Sequence, residues 1–301
     1  MIALLEPERA PGFVSGGYRY QDEIASRLAA RGTGRRLAIG PERLEAVVAD
    51  LRARGERVVV DGLFAELLRA PLPGGITALL HMVPRQSPWS GVPLPVIATA
   101  ATTADRVRDR ARAVHVVRPG LDDCFAPPAT APCNARLRIV CVGTICRAKG
   151  QHLVVTALAR HDCDIVLLGA RDAADALPAA GRANLVAPGP VPPSAVAREL
   201  QQADLFVSAS RDESYGMAVR EATACGVPVL AFATGEIAHW VASGSNGWLV
   251  AAAAPDHEFV HMLRDLVDTP RRLTAARHAA TAVPRRSWDH AADEFEAAVR
   301  S

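Results

Sequence analysis

The stretch DLFVSASRDESYGMAVREATACGVPVLAFA, Asp204–Ala233, contains in one run the unit that repeats through the chain. DLFVSAS is apolar and short enough for a buried strand, RDESYG is a polar loop, and MAVREATACG reads as a helix stopped by Gly226 and Pro228. VPVLAFA returns as a second apolar strand. Strand, crossover helix and strand make a unit that builds parallel sheets covered on both faces by helices. Glu213 falls in the loop, near the helix start, where the dipole favours a carboxylate, and Glu221 falls two turns into the helix. By spacing alone they are either an acid pair with a chemical task or the solvated start of an amphipathic helix.

The same alternation extends in both directions. Downstream of residue 135 the strands are LRIVCVGT, DIVLLGA, NLVAPG and GWLVAA, besides the two already quoted. Helices are predicted over Lys149–Arg160, Pro193–Gln202, Gly216–Cys225 and Glu236–Val241. The first part opens with the strand IALLEP, the loop ERAPGFVSGG, and the helix YRYQDEIASRLAARG, with Ile24, Leu28 and Ala29 on one face. RVVVDGL, TALLHMV and PVIATAA follow as strands, then a helix around Thr103–Ala113 and the short strand AVHVVRPG. RPGLDDCFAPPATAPCNA, Arg118–Ala135, is too kinked and polar for a core element and is read as the interdomain linker. The expectation is an α/β chain of two Rossmann-like domains with parallel sheets facing a cleft. Residues 1–120 form the first domain, 121–134 the linker, 135–285 the second domain and 286–301 a closing helix.

Composition narrows the function classes. The chain has 301 residues, 50% hydrophobic and 22% charged, with a net charge of +2 that gives no reason to expect nucleic acid or an anionic membrane surface. No apolar run approaches a membrane span, and MIALLEPERAPG meets acid and proline too early for a signal peptide. A cytoplasmic protein is expected. The 6 cysteines form no CxxC pair and read as reduced thiols filling core space. His257 and His261 stand four apart on a surface helix with no third ligand, so no metal is expected. Lys149 is the only lysine in a chain whose other strong cations are all arginine.

Ligands of such sheets bind beyond the carboxyl ends of the strands, so the loops there carry the chemistry. In VSGGYRYQDEI, Gly16 and Gly17 open a helix, where free amides could meet an anion, or they form an ordinary turn. In VGTICRAKGQHL, Arg147 and Lys149 precede a helix, where cations oppose the macrodipole. They are two solvated cations, or the counter-charges of a bound diphosphate. At the loop RDESYG the Gly216 and Met217 amides lie between Glu213 and Glu221. A ligand laid along that helix could place an anionic group on the amides, a polyol on Glu213 and a ribose on Glu221, which suits a nucleotide sugar.

The segments VRPGLDDCF, CVGTICRAKGQHLVVTALA, VAPGPVPPSAVARELQQADLFVSASRDESYGMAVREATACGVPVLA and GSNGWLV together resemble the nucleotide-binding domain of retaining GT-B glycosyltransferases. The group is that of glycogen synthase-like and sucrose synthase-like enzymes, glycosyl transferases group 1, family 4 type. Glu213 through Glu221 fits its E-x7-E element, and SGGYRYQDEIASRLAARG, VVVDGL and LLHMVP match more weakly. RRSWDHAADEFEAAV resembles the family's last helix, which crosses back to the first domain.

The resemblance implies transfer of a sugar from a nucleoside diphosphate sugar to an acceptor with retention, by a front-face route and without a metal or other cofactor. It implies Lys149 and Arg147 on the diphosphate, Glu221 on the ribose, and Glu213 with the Gly216 and Met217 amides on the sugar and its phosphate. Gly16 and Gly17 would approach the diphosphate, His81 would face the sugar, and the loop around Val191 would lie near the base. Thr144 stands where many members carry arginine, and the first domain is short. The alternatives are a non-catalytic nucleotide-sugar-binding partner subunit, or a phosphorylase or epimerase on the same fold.

Overall fold

The computed structural model describes residues 1–9, 15–65, 67–68, 74–82, 94–172, 174–279 and 285–301. The chain divides into two compact units, Met1–Gly120 with Arg286–Ser301, and Leu121–Arg285.

The first unit runs β1 (Ile2–Pro7), α1 (Gly16–Ala30), β2 (Gly34–Ile39), α2 (Leu44–Ala53), β3 (Arg57–Asp61) and α3 (Gly62–Ala65). β4 (Ile76–Leu80), β5 (Pro95–Ala98), α4 (Ala101–Val107) and β6 (Ala113–Val116) complete its sheet, of order β2-β1-β3-β4-β5-β6. All pairs are parallel, and β1, β3 and β4 are apolar because both their faces are covered. Ser15 caps α1, its Oγ accepting from the Tyr18 N–H at 3.3 Å. Ile24 and Leu28 are buried on α1 as expected, but Ala25 shares their face and Ala29 is exposed. β2 and α2 are absent from the sequence reading. GRRLAI places Arg35 and Arg36 in an edge strand, which breaks the apolar run that marks its neighbours. The strand expected over Arg57–Leu63 ends at Asp61, where Gly62 turns the chain into α3. The strand expected over Thr77–Val83 ends at Leu80, and Val83 lies outside the described residues.

The second unit runs β7 (Leu137–Val142), a 3-10 turn (Arg147–Lys149), α5 (Gln151–Leu158), β8 (Cys163–Leu168), β9 (Asn184–Gly189), α6 (Pro193–Gln201) and β10 (Leu205–Ser208). It continues through α7 (Met217–Ala224), β11 (Val229–Ala233), α8 (Ile237–Trp240), β12 (Gly247–Ala251), α9 (Asp256–Asp268) and α10 (Pro270–Ala279). Its parallel sheet has the order β12-β11-β10-β7-β8-β9, so the direction of strand addition reverses between β7 and β10. Cys141, Cys163 and Cys225 fill the core, whereas Cys133 is exposed and Cys124 and Cys146 are partly so, which corrects the uniform core reading.

The closing helix α11 (Trp288–Arg300) belongs to the first unit. Trp288 is buried with its ring 5.9 Å from that of Tyr20 on α1. Arg27 and Arg31 of α1 reach Asp289 and Asp293 at 3.0 and 2.7 Å. Arg57 donates to the Val299 and Arg300 carbonyls at 2.9 and 3.1 Å, satisfying the end of the helix.

The stretch 121–134, expected as linker, is part of the second unit. Leu121 and Phe125, four residues apart, are buried in its core, and Gln201 Nε2 donates to the Cys124 and Ala126 carbonyls at 3.3 and 2.9 Å. Two apolar anchors are enough to dock a run that prolines keep out of helix and strand. Phe125→Ala should therefore lower the unfolding free energy of the second unit by about 3–5 kcal/mol in urea titration. A cost under about 0.5 kcal/mol, the value for a surface residue, would return the segment to the linker reading.

Candidate functional site

In the second unit the loops after β7 and β10 meet at the strand-order reversal. Gly150 has φ 74°, and a Cβ there would lie 2.3 Å from the Ala209 carbonyl oxygen. Only glycine permits both the left-handed backbone and that approach. The contact sets Lys149 of one loop beside Glu213 of the other, with Nζ 2.5 Å from Oε1. Gln151, buried at the start of α5, ties the first loop by donating to the Thr144 carbonyl at 2.9 Å and accepting from the Cys146 N–H at 3.4 Å. The second loop is held from behind by Gly235, whose missing Cβ would fall 2.2 Å from the Glu213 carbonyl oxygen. The Glu236 N–H donates to the Ser214 carbonyl at 2.8 Å.

Lys149 and Glu213 line a small crevice with Gln151, Ser208, Ser210 and Cys141. Burial pushes the Cys141 thiol up to about 12, so it is protonated and no nucleophile. The ion pair is partly exposed, at 35% and 21%, and such pairs contribute only about 0.2–1 kcal/mol to stability. Its place at the strand ends is therefore better explained by chemistry than by folding energy.

The helix start in the same loop is uncapped among the described residues: Gly216, at φ 77° and itself buried, precedes Met217 and offers no side chain to the first amides of α7. The first amides of any helix lack intrahelical acceptors and favour an anion. Glu221 is only 5% exposed, and Val219 through Ala224 are all buried. The solvated, amphipathic reading of this helix is thus wrong: α7 packs on α6, α8, β10 and β11 at once. Arg147 is not brought to the crevice. Its N–H donates to Asp175 at 2.6 Å and its side chain is exposed. Val191 packs partly against the core rather than standing free in its loop.

The first unit gathers a second cluster at its own strand ends. Gly16 is exposed, whereas Gly17 lies under the His81 ring, where a Cβ would meet Cδ2 at 2.9 Å. His81, just beyond β4, is flanked edge-on by Tyr20 at 5.4 Å and by Gln21, whose Nε2 is 3.2 Å from the ring Nε2. Burial lowers the His81 pKa to about 4, so the ring is neutral at pH 7. Asp61 ends β3; its Oδ1 accepts from the Leu63 N–H at 2.7 Å and its Oδ2 from Gln21 Nε2. Burial raises the Asp61 carboxyl pKa, against the lowering effect of those two donors. Gln21 and Asp61 were missed by the sequence reading. An acid closing VVVD, at the same edge as His81 after TALL, was the available signal.

Comparison with known proteins gives the family and the fold. The family model described as glycosyl transferases group 1 matches residues 131–283. The chain is 31% identical over 221 residues to D-inositol 3-phosphate glycosyltransferase 1 of Catenulispora acidiphila, covering 62% of this chain and 51% of that protein. It is 33% identical over 210 residues to the D-inositol 3-phosphate glycosyltransferase of Mycobacterium avium, covering 62% and 49%. The chain thus spans about half the length of the curated relatives it matches. Among solved structures, sucrose-phosphate synthase from Thermosynechococcus elongatus superposes with a TM-score of 0.75 at 18% identity, covering 99% of this chain and 98% of that one. Anabaena HepE, solved in complex with UDP-glucose, gives 0.73 at 16% identity, covering 99% of each chain. The fold is therefore GT-B.

The glycine constraint is testable. Gly150→Ala combines a left-handed backbone, at about 1–2 kcal/mol, with the clash on Ala209, whereas Gly244→Ala at φ 81° has nothing within 4 Å. Urea unfolding should show Gly150→Ala to be the more destabilising; equal costs would remove the contact from the account.

Proposed function

The chain belongs to the glycosyl transferases group 1 family, and on that premise we propose that it moves a sugar from a nucleoside diphosphate sugar to an acceptor hydroxyl, retaining the anomeric configuration. The observation that carries the reading is the Lys149–Glu213 pair at the β7/β10 reversal, beside the uncapped start of α7.

As the bond from the anomeric carbon to the phosphate oxygen breaks, negative charge grows on the diphosphate. Lys149 and the α7 amides would stabilise it; one such preorganised charge contributes about 3 kcal/mol, or roughly a hundredfold in rate. The diphosphate would compete with Glu213 for the ammonium, and the released Glu213 carboxylate would accept from sugar hydroxyls. Glu221 is assigned to the ribose, and the Gly216 and Met217 amides to the phosphate. The acceptor would enter on the face that the leaving group vacates, its proton passing to the departing phosphate oxygen. No covalent enzyme intermediate and no metal ion are needed on this route. His81 would donate to a sugar hydroxyl, and Gly16 and Gly17 would approach the diphosphate. Arg147, exposed on its loop, is kept as a second diphosphate contact, and Val191 as a neighbour of the base.

UDP-glucose is the first donor to test, because HepE was solved with it, and D-inositol 3-phosphate is the first acceptor, because the curated relatives are named for it. A thermal-shift screen over nucleoside diphosphates and their sugars should show stabilisation, which reaches about 2.7 kcal/mol when ligand stands at a hundred times Kd. Lys149→Ala should weaken diphosphate binding at least tenfold by calorimetry; unchanged affinity would remove Lys149 from the site. Turnover should persist in excess chelator, and its loss there would overturn the metal-free route.

A further inference from the structure

We propose that Gln21 is a positioning residue whose amide holds His81 as the Nδ1–H tautomer, making the ring a neutral donor to an uncharged hydroxyl rather than a cation for phosphate. The tautomer stands on the geometry of the first unit alone; the hydroxyl it serves rests on the glycosyl-transfer reading.

Gln21 is fully buried and lies one helical turn beyond Gly17, so both face His81. Its side-chain nitrogen has two N–H groups. One points to Asp61 Oδ2, and the other lies 3.2 Å from His81 Nε2. With Asp61 ionised its carboxylate only accepts, so the amide turns its nitrogen toward Asp61. The second N–H then faces Nε2, which has to accept through its lone pair. A neutral imidazole that accepts at Nε2 carries its proton on Nδ1. Protonating the ring would set one N–H against another. The opposite amide orientation would press Gln21 Oε1 on the Asp61 carboxylate. In the orientation observed, Gln21 Oε1 has no partner among the described residues, a cost accepted to keep both donors engaged.

The surroundings act in the same sense. Burial lowers the His81 pKa to about 4. Asp61, 3.9 Å from Nε2, is the charge among the described residues that would favour the imidazolium, and Gln21 is bonded to both groups. The same carboxylate feels Glu6 from β1 and Arg9, with opposite effects. Tyr20 meets the ring in a T-shaped pair, which adds no charge. Glycine at 17 lets the imidazole lie flat on α1, and 21% of the His81 side chain stays open to a ligand. Among the described residues Gln21 is thus the polar side chain that touches both the histidine and its acid.

The test is long-range proton–nitrogen NMR on the full chain with nitrogen-15 histidine, with His81 assigned by its loss in His81→Asn. Wild type should show Nδ1 protonated and Nε2 bare at pH 7, and no protonation of the ring down to about pH 5. A proton on Nε2, or a charged ring at pH 6, overturns the proposal, and beyond the His81→Asn assignment this readout needs no variant. Gln21→Leu should move the proton toward Nε2 and lower turnover about tenfold, with diphosphate affinity unchanged. Gln21→Glu should raise the histidine's pKa and make turnover fall as pH drops from 8 to 6. If turnover in Gln21→Leu equals wild type, Gln21 does not position the ring. If wild type binds no nucleoside diphosphate, the glycosyl-transfer reading fails while the tautomer result stands.

Discussion

Strands of a parallel sheet that are buried on both faces must all leave the sheet at the same edge and return beneath or above it through a helix. Both units obey this rule, and every chemically interesting side chain in them follows from it. Each strand's carboxyl end delivers its loop to one rim. Where strand addition reverses direction, two successive loops diverge and leave room between them. In the second unit the reversal between β7 and β10 holds Lys149 and Glu213, which are distant in sequence and adjacent in space. In the first unit it falls between β1 and β3, and there Gln21, carried on the helix after β1, meets Asp61 at the end of β3.

Diverging loops do not by themselves place atoms within hydrogen-bond reach; close backbone approach does. Gly150 against Ala209, Gly235 against Glu213 and Ser214, and Gly17 under His81 each occupy a position where a Cβ would collide. Each contact lies one or two residues from a polar group that the site uses, or directly beneath it. The packing that shapes the rim is therefore backbone packing, which side-chain substitutions elsewhere in the loops would leave intact.

This explains which parts were legible in the sequence. Uninterrupted apolar runs such as IALLEP, VVV and IVLL declare central strands, and a break at Gly226 or Pro228 marks the end of α7. GRRLAI is just as much a strand, but one at an edge, where two arginines reach solvent and hide it. Phe125 was lost in a proline-rich run because composition averages away a single anchoring ring. Lys149 and Glu213 were each found at a strand end, yet their pairing depends on the β7–β10 adjacency, which local pattern does not encode. Spacing alone left Glu221 between a working acid and a solvated one, because one helix's periodicity says nothing of how many neighbours press on it. Gln21 and Asp61 were invisible for the opposite reason: each looks ordinary, and only their convergence on His81 gives them meaning.

Burial then divides the chemistry. Lys149 and Glu213 keep part of their surface in water, so their pairing is weak and the ammonium can exchange one anion for another at little cost. A buried pair could not serve the same purpose, since breaking it leaves an uncompensated charge at about 3–5 kcal/mol. The His81 side chain is as exposed as that of Glu213, at 21%, but desolvation lowers its pKa to about 4 and leaves the ring neutral. The two rims thus share one backbone rule and differ in charge: the Lys149 ammonium keeps a bonded carboxylate, whereas the His81 ring loses its charge to desolvation.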